Sequence, residues 1–372
     1  MVASSSILVG KASNASSTGK EPVAASVGSR SSSSVVPKTK TVGLQDLREK
    51  LKNDGFNNEA LDLIMGSWRP ATSRLYDRFI EKWKMYALNH NIDPCNPAIN
   101  NVANFLAGLF GDGMSYSSLN SARSALSAFL PFINGVAVGS HPTISRLMKG
   151  VFNKRPCLPK YSETWDVSVV LNFLSSLPCS EDLSFKLLTF RFVMLLCILT
   201  GQRGQALFLL KTSDIHINKD LTKCVITYSE LHKSSKPGSH TKPAEIDMYP
   251  YDKKLCVVDH CRLYLEKTAD LRKGNLDDKL FISLQRPHHS IARATFSRWV
   301  RDTLGLAGID TDKFAPHSTR SASTSAAAAA GASIELIMKA ASWSSEDTFS
   351  KFYNKPVSKS SFAGAVYKVL TD

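Results

Sequence analysis

Between Gly43 and about Phe152, apolar residues recur every three or four positions, the period of an amphipathic helix. Leu75, Phe79, Ile80, Trp83 and Tyr86 form one stripe, behind Pro70 and a candidate cap at Thr72. Val102, Phe105, Leu106 and Leu109 form a second, Leu119, Ala122, Leu126 and Phe129 a third, and Ile144, Leu147, Met148 and Val151 a fourth. A stripe of this width is covered only by packing on another, so the region predicts a small helical bundle. Two prolines within four residues, Pro156 and Pro159, then stop the helical pattern inside a charged stretch, Lys154 to Lys160.

A second helical region follows. Asp166 is placed to cap a helix reaching about Leu177, and Leu183 to Leu199 reads as a fully buried helix ending at Thr200-Gly201. After Leu210 the period shortens, and Ile215–Ile217, Val225–Thr227 and Ile246–Met248 read as short strands. Lys233 to Gly238 is the turn between the last two. Helical pattern returns over Cys256 to about Leu271, Ala292 to about Leu306, His317 to Ala330, Ile334 to Ala341 and Ser345 to Tyr353. The fold expected is mainly α with a small antiparallel sheet. Its divisions are a Ser-rich tail at 1–42, a helical domain at 43–154, a linker at 155–160 and a second domain at 161–372. The tail has one acidic residue, Glu21, and no apolar period, so it is expected to be disordered.

Charge narrows the partners. The 372 residues carry a net charge of +14, which favours a polyanion, with nucleic acid ahead of membrane. The longest apolar run, Phe192 to Leu199, has the length of a buried helix and not of a membrane span. Seven scattered cysteines without a CxxC pair predict free thiols in a reducing compartment. Cys256, His260 and Cys261 imitate a metal cluster, but His260 and Cys261 are adjacent and point apart on a helix.

The chemistry-bearing residues are concentrated near the C-terminus. His317-Ser-Thr-Arg320 puts a histidine and an arginine one helical turn apart. Trp343 follows, then Tyr353 within the run Phe349 to Lys355. Far upstream, Thr200-Gly-Gln-Arg203-Gly supplies a second arginine where an apolar helix breaks. Guanidinium groups match the spread charge of a phosphate, and a tyrosine can serve as a covalent nucleophile if a neighbour takes its proton. There is no P-loop, no HExxH and no nucleotide-binding glycine fingerprint, so neither a metal nor a nucleotide cofactor is expected.

From about Gly43 onward the chain resembles the tyrosine recombinase (phage integrase) family. The residues that carry the likeness are Thr-Gly-Gln-Arg-Gly-Gln, Lys-x-x-x-Pro-Gly-x-His, His-Ser-Thr-Arg-Ser-Ala-Ser and Lys-Phe-Tyr-Asn-Lys-Pro. They are most similar to the eukaryotic branch of DIRS-type and crypton-type mobile elements. The resemblance implies a SAM-like, DNA-binding helical domain followed by a catalytic domain, the two clamping duplex DNA. It implies that Tyr353 is the nucleophile, forming a 3′-phosphotyrosyl link. Arg203 and Arg320 would grip the phosphate oxygens, with His317 as base or phosphate contact and Trp343 as an N–H donor. Lys233 would protonate the departing 5′-oxygen, with Lys236 as its rival. Relatives commonly keep an acid three residues after the first arginine; here that position is Ala206.

Arg74, Arg123, Lys149, Lys154, Arg155, Lys236 and Lys242 are candidate DNA contacts, each of which could equally be a solvated surface charge. The function expected is strand cleavage and rejoining on double-stranded DNA, in recombination or integration of a mobile element. The resemblance further implies a homotetramer on paired DNA sites and a nuclear location. A DNA-binding protein without cutting activity and a type IB topoisomerase are the alternatives.

Overall fold

The computed structural model describes residues 43–157, 162–233, 235, 237–238, 240–272, 278–343 and 345–357. The Ser-rich segment, Lys236 and everything after residue 357 lie outside them. The chain divides into two compact units at the Cys157–Leu158 bond.

The first unit is a helical bundle of α1 (Gly43–Asn53), α2 (Asn58–Gly66), α3 (Pro70–Asn89), α4 (Ile99–Gly111), α5 (Tyr116–Phe129) and α6 (Pro142–Lys154). Its core joins the stripes read from the sequence: Ile80, Trp83, Val102, Leu106, Leu119, Leu126 and Ile144 are fully buried. The Trp83 indole N–H donates to the Pro94 carbonyl at 2.9 Å, so its one polar atom is satisfied. Two expectations fail in α3. The helix begins at Pro70 with Arg69 as its cap residue, which puts Thr72 inside the first turn; proline fits there because that position needs no N–H. Leu75 is exposed, because α1 meets α3 one turn further on, at Asp77 and Ile80. Gly43 permits that approach, since a Cβ there would stand 2.7 Å from the Ile80 side chain.

The second unit holds α7 (Val167–Ser176), α8 (Phe185–Thr200), α9 (Gly204–Phe208), β1 (Ile215–Ile217), β2 (Lys223–Ile226), β3 (Ala244–Asp247), α10 (Val257–Ala269), α11 (Arg293–Leu306), α12 (Ser318–Ala329), α13 (Ile334–Ala341) and α14 (Glu346–Phe352). Apolar on nearly every side, α8 runs through the core against α10, α11 and α12. Its one buried charge, Arg191, donates to Ser180 Oγ at 3.1 Å and the Pro178 carbonyl at 2.8 Å.

The three strands form an antiparallel sheet in the order β1-β2-β3. β2 and β3 start two residues earlier than the sequence suggests. The register pairs Cys224 with Ile246 and buries Cys224 and Ile226. Thr227 has left the ladder, and its N–H donates to the Asp214 carbonyl at 2.9 Å. His260 and Cys261 sit buried in α10: His260 Nδ1–H donates to the Cys256 carbonyl at 2.7 Å, and the Cys261 sulfur lies 3.7 Å from that of Cys224.

Candidate active site

Three chain breaks in the second unit bring distant residues to one cavity. At the first, Gly201 closes α8 in the left-handed conformation (φ +57°). A Cβ there would be strained and would meet Thr324 Cγ2 at 3.4 Å. The turn leaves Arg203 as the cap residue of α9. At the second, Pro316 precedes His317, whose backbone is helical at the start of α12. Its side chain makes no capping hydrogen bond and so is available to the site. Arg320 follows one turn later on the same helix, almost completely buried. At the third, the loop between β2 and β3 presents an exposed Lys233.

Arg203, Lys233, His317, Arg320 and Tyr353 line one cavity of about 260 Å³. Tyr353 Oη lies 3.2 Å from His317 Nε2, within hydrogen-bond reach. The Tyr353 backbone is also held: its carbonyl accepts from Ser321 Oγ at 3.0 Å and from Ser325 Oγ at 2.6 Å, and its N–H donates to the Phe349 carbonyl. Trp343 is not part of the lining. It stacks between two site residues, with its ring 4.3 Å from the Arg320 guanidinium and 4.6 Å from the Tyr353 ring. Its indole nitrogen is buried and, among the described residues, has no hydrogen-bond partner.

The electrostatics are those of a site waiting for an anion. Arg320 donates from Nη2 to the Ala341 carbonyl, but Nε and Nη1 are buried without a partner among the described residues. Burial, and then the charge of Arg203, depress its pKa, with Tyr353 opposing them. The His317 pKa is also lowered, first by withdrawal from water and then by Arg320, Arg203, Lys233 and Arg293. His317 is nevertheless an exposed residue, so the four cations are the firmer cause: each disfavours a further positive charge. A phosphodiester entering this cavity would supply acceptors for the unpaired guanidinium donors and offset the accumulated positive charge.

The candidate DNA contacts are spread more widely. Arg74, Lys149, Lys154, Arg155 and Lys242 are exposed and Arg123 half-buried; Lys236 lies outside the described residues. Arg155 is occupied within its own unit, donating to the Met114 and Phe110 carbonyls at 3.0 and 3.4 Å with its guanidinium 4.2 Å from the Phe110 ring. Arg74 reaches its own helix, from Nε to the Pro70 carbonyl.

Sequence reasoning missed several supports. Ser321 and Ser325 hold Tyr353, and their four-residue spacing on one helix face was the available signal. Gln202, buried beside Arg203, donates from Nε2 to Ser342 Oγ at 2.9 Å and to the Ala340 carbonyl, tying the first arginine's turn to the loop before Trp343. Trp165 Nε1 donates to Ser318 Oγ at 2.9 Å in the interior. Ala206 is buried in α9.

Among solved structures, the Tn1549 transposon integrase in complex with transposon right end DNA is similar to this chain at 14% identity. The match covers 89% of this chain and 99% of that one, with a TM-score of 0.51. The XerH site-specific recombinase bound to palindromic difH substrate, in a post-cleavage complex, is similar at 16% identity, covering 82% of this chain and 78% of that one, with a TM-score of 0.50. At these identities the likeness establishes the fold, mainly helical with its small antiparallel sheet. No curated protein matches the chain. A family model does: that of the phage integrase family matches residues 174–359, half of the 372 and every residue that lines the cavity. The chain therefore belongs to the phage integrase family, the tyrosine recombinases.

Proposed function

We propose that this protein cleaves and rejoins double-stranded DNA through a 3′-phosphotyrosyl intermediate on Tyr353. One observation supports the reading above the rest: five side chains drawn from four parts of the second unit face one cavity, with the phenol already beside an imidazole. Tyr353 Oη attacks the scissile phosphorus and the bond from phosphorus to the 5′-oxygen breaks. The phenol proton passes to His317 Nε2. Lys233 gives a proton to the departing 5′-oxygen, leaving a free 5′-hydroxyl. Reversal with a new 5′-hydroxyl rejoins the strand. The link conserves the energy of the phosphodiester, so this scheme draws on neither a nucleotide nor a metal.

Each group meets a definite difficulty. A free phenol has a pKa of about 10 and needs a base at neutral pH. A neutral imidazole can accept its proton, and the cations that lower the His317 pKa keep that form populated. Arg203 and Arg320 stabilise charge on the non-bridging oxygens, a contribution of ~10²- to 10³-fold for each such donor set. Trp343 holds the Arg320 plane by cation–π stacking and leaves the donor atoms directed to the substrate.

Duplex DNA as the substrate accords with the net charge of +14 and with the DNA-bound states of the Tn1549 and XerH structures. In this reading the helical unit at 43–154 is the DNA-binding domain and the residues from 161 onward are the catalytic domain. The enzyme acts as a homotetramer on paired sites, belongs to the DIRS-type and crypton-type branch of mobile elements, and works in the nucleus.

A nicked suicide duplex, whose short 5′ fragment diffuses away after cutting, tests the proposal. A covalent protein–DNA band on a denaturing gel, lost in Tyr353→Phe, is the expected result. Binding without an adduct would leave a DNA-binding protein that does not cut. Relaxation of any supercoiled plasmid, whatever its sequence, would point to a topoisomerase.

A further inference from the structure

The residue before the proposed general acid is unusual for its setting. The chain from Thr227 to Pro243, which joins β2 to β3, is a long polar connection. Among its described residues His232 alone is buried, at 2% exposure, between an exposed Leu231 and an exposed Lys233. A histidine in a polar loop ordinarily turns to water; this one points into the protein.

Its contacts tie the loop together across Lys233. His232 Nε2 lies 2.8 Å from Thr241 Oγ1, nine residues away on the returning limb. Its N–H donates to Ser235 Oγ at 3.1 Å, and its carbonyl accepts from the Ser235 N–H at 2.9 Å, closing a tight turn around Lys233. The ring meets Tyr228 edge to face, with centroids 6.0 Å apart. On the outgoing limb, Glu230 pairs with Lys211 and Lys279, each at 3.2 Å.

The ring also borders a narrow cleft that it shares with Ala206. Ala206 follows Arg203 by three residues, in α9.

We infer that His232 is a positioning residue for Lys233: its buried imidazole, bonded to Thr241 and bordering the same cleft as Ala206 of α9, fixes the lysine turn relative to Arg203. This rests on the assignment of Lys233 as general acid. A lysine has a long flexible stem, and its ammonium must reach a single 5′-oxygen. Holding its backbone on both sides restricts that search to side-chain rotation. The role requires no chemistry of His232 itself, only a buried polar group long enough to reach Thr241.

A leaving group that needs no acid separates this role from a general structural one. In a suicide duplex with sulfur in place of the bridging 5′-oxygen, the departing thiolate, whose thiol pKa is about 8.5, leaves without protonation. Lys233→Ala should cleave the oxygen substrate ~100-fold more slowly than the parent protein and the sulfur substrate within about threefold of it. His232→Ala should follow the same pattern more mildly, ~10-fold slower on oxygen and near the parent rate on sulfur, with DNA affinity unchanged. His232→Gln, whose amide can reach Thr241, should recover most of the loss.

A parent rate for His232→Ala on oxygen, or an equal loss on both substrates in a variant that melts at the parent temperature, would overturn the inference. Should His232→Ala fail to fold, Thr241→Val keeps the ring and removes the hydroxyl it bonds; sulfur-rescued slowing of that variant supports the inference, and its absence rejects it. If Lys233→Ala itself is not rescued by sulfur, the assignment of the acid has failed instead, which the His232 variants alone do not reveal.

Discussion

Thirty-six residues apart in sequence, the imidazole of His317 and the phenol of Tyr353 meet with Nε2 and Oη at 3.2 Å. For Nε2 to accept the phenol proton, the ring must be neutral with its proton on Nδ1. The lowered His317 pKa favours that neutral form. Under subsaturating DNA, the rate of adduct formation should therefore stay level down to pH of about 6.5 and fall only below it. Arg293 is one of the cations that lower this pKa, so Arg293→Gln should move the acid limb upward. A pH–rate profile of the two proteins checks both the position and the direction. An acid limb that moved downward in the variant would reverse the assigned electrostatics.

In the proposed scheme Arg320 joins a stability cost to a catalytic gain. Its guanidinium is buried with two nitrogens unpartnered among the described residues. Arg320→Met keeps the stem, leaves out the charge and fits the apolar contact with Trp343. Without DNA the variant should be at least as stable as the parent, within ~1 kcal/mol, because an incompletely paired buried charge has been removed. Adduct formation should drop ~10²- to 10³-fold. Thermal melting and suicide-substrate cleavage, measured side by side, test the two halves separately.

Ser321 and Ser325 fix the Tyr353 carbonyl to α12. Ser325→Ala removes the shorter of those bonds and also the acceptor of the Lys355 N–H. A loss of about 1–3 kcal/mol in unfolding free energy is expected from the two bonds together. Cleavage should slow while the acid limb of its pH profile stays in place, since the base is untouched. A shift of that limb would show that the serine acts on His317 instead.

Trp83 is the largest fully buried side chain of the first unit, and its N–H is satisfied by Pro94. Trp83→Ala should cost ~3–5 kcal/mol through the cavity and the stranded carbonyl. Denaturant unfolding followed by circular dichroism reads this loss. A change under 1 kcal/mol would mean that the bundle core closes over the gap.

The helical framework was legible in the sequence because a period of three to four residues is a direct record of which face is buried. Val102, Phe105, Leu106 and Leu109 illustrate it, all four in the core. The failures occur where a neighbour and not the period decides. Leu75 continues the stripe of α3 but lies beyond the reach of α1. The strands were displaced by two residues because Cys224 reads as weakly apolar, yet its sulfur packs against Cys261 in the interior. Within the candidate site, charged and aromatic residues stood out by type and order. His232, Gln202 and the two serines did not, because their partners are backbone atoms or small side chains up to 140 positions away, which local spacing does not encode.

The grip of α12 on Tyr353 has an implication for how copies of this chain cooperate. One helix carries Arg320 and both serines and begins directly after His317, so the proposed nucleophile and its proposed activating groups meet within one polypeptide. In the proposed scheme each subunit then arms itself and cuts the strand it occupies. On that scheme two disabled subunits, one without the phenol and one without the imidazole, should form no adduct when mixed.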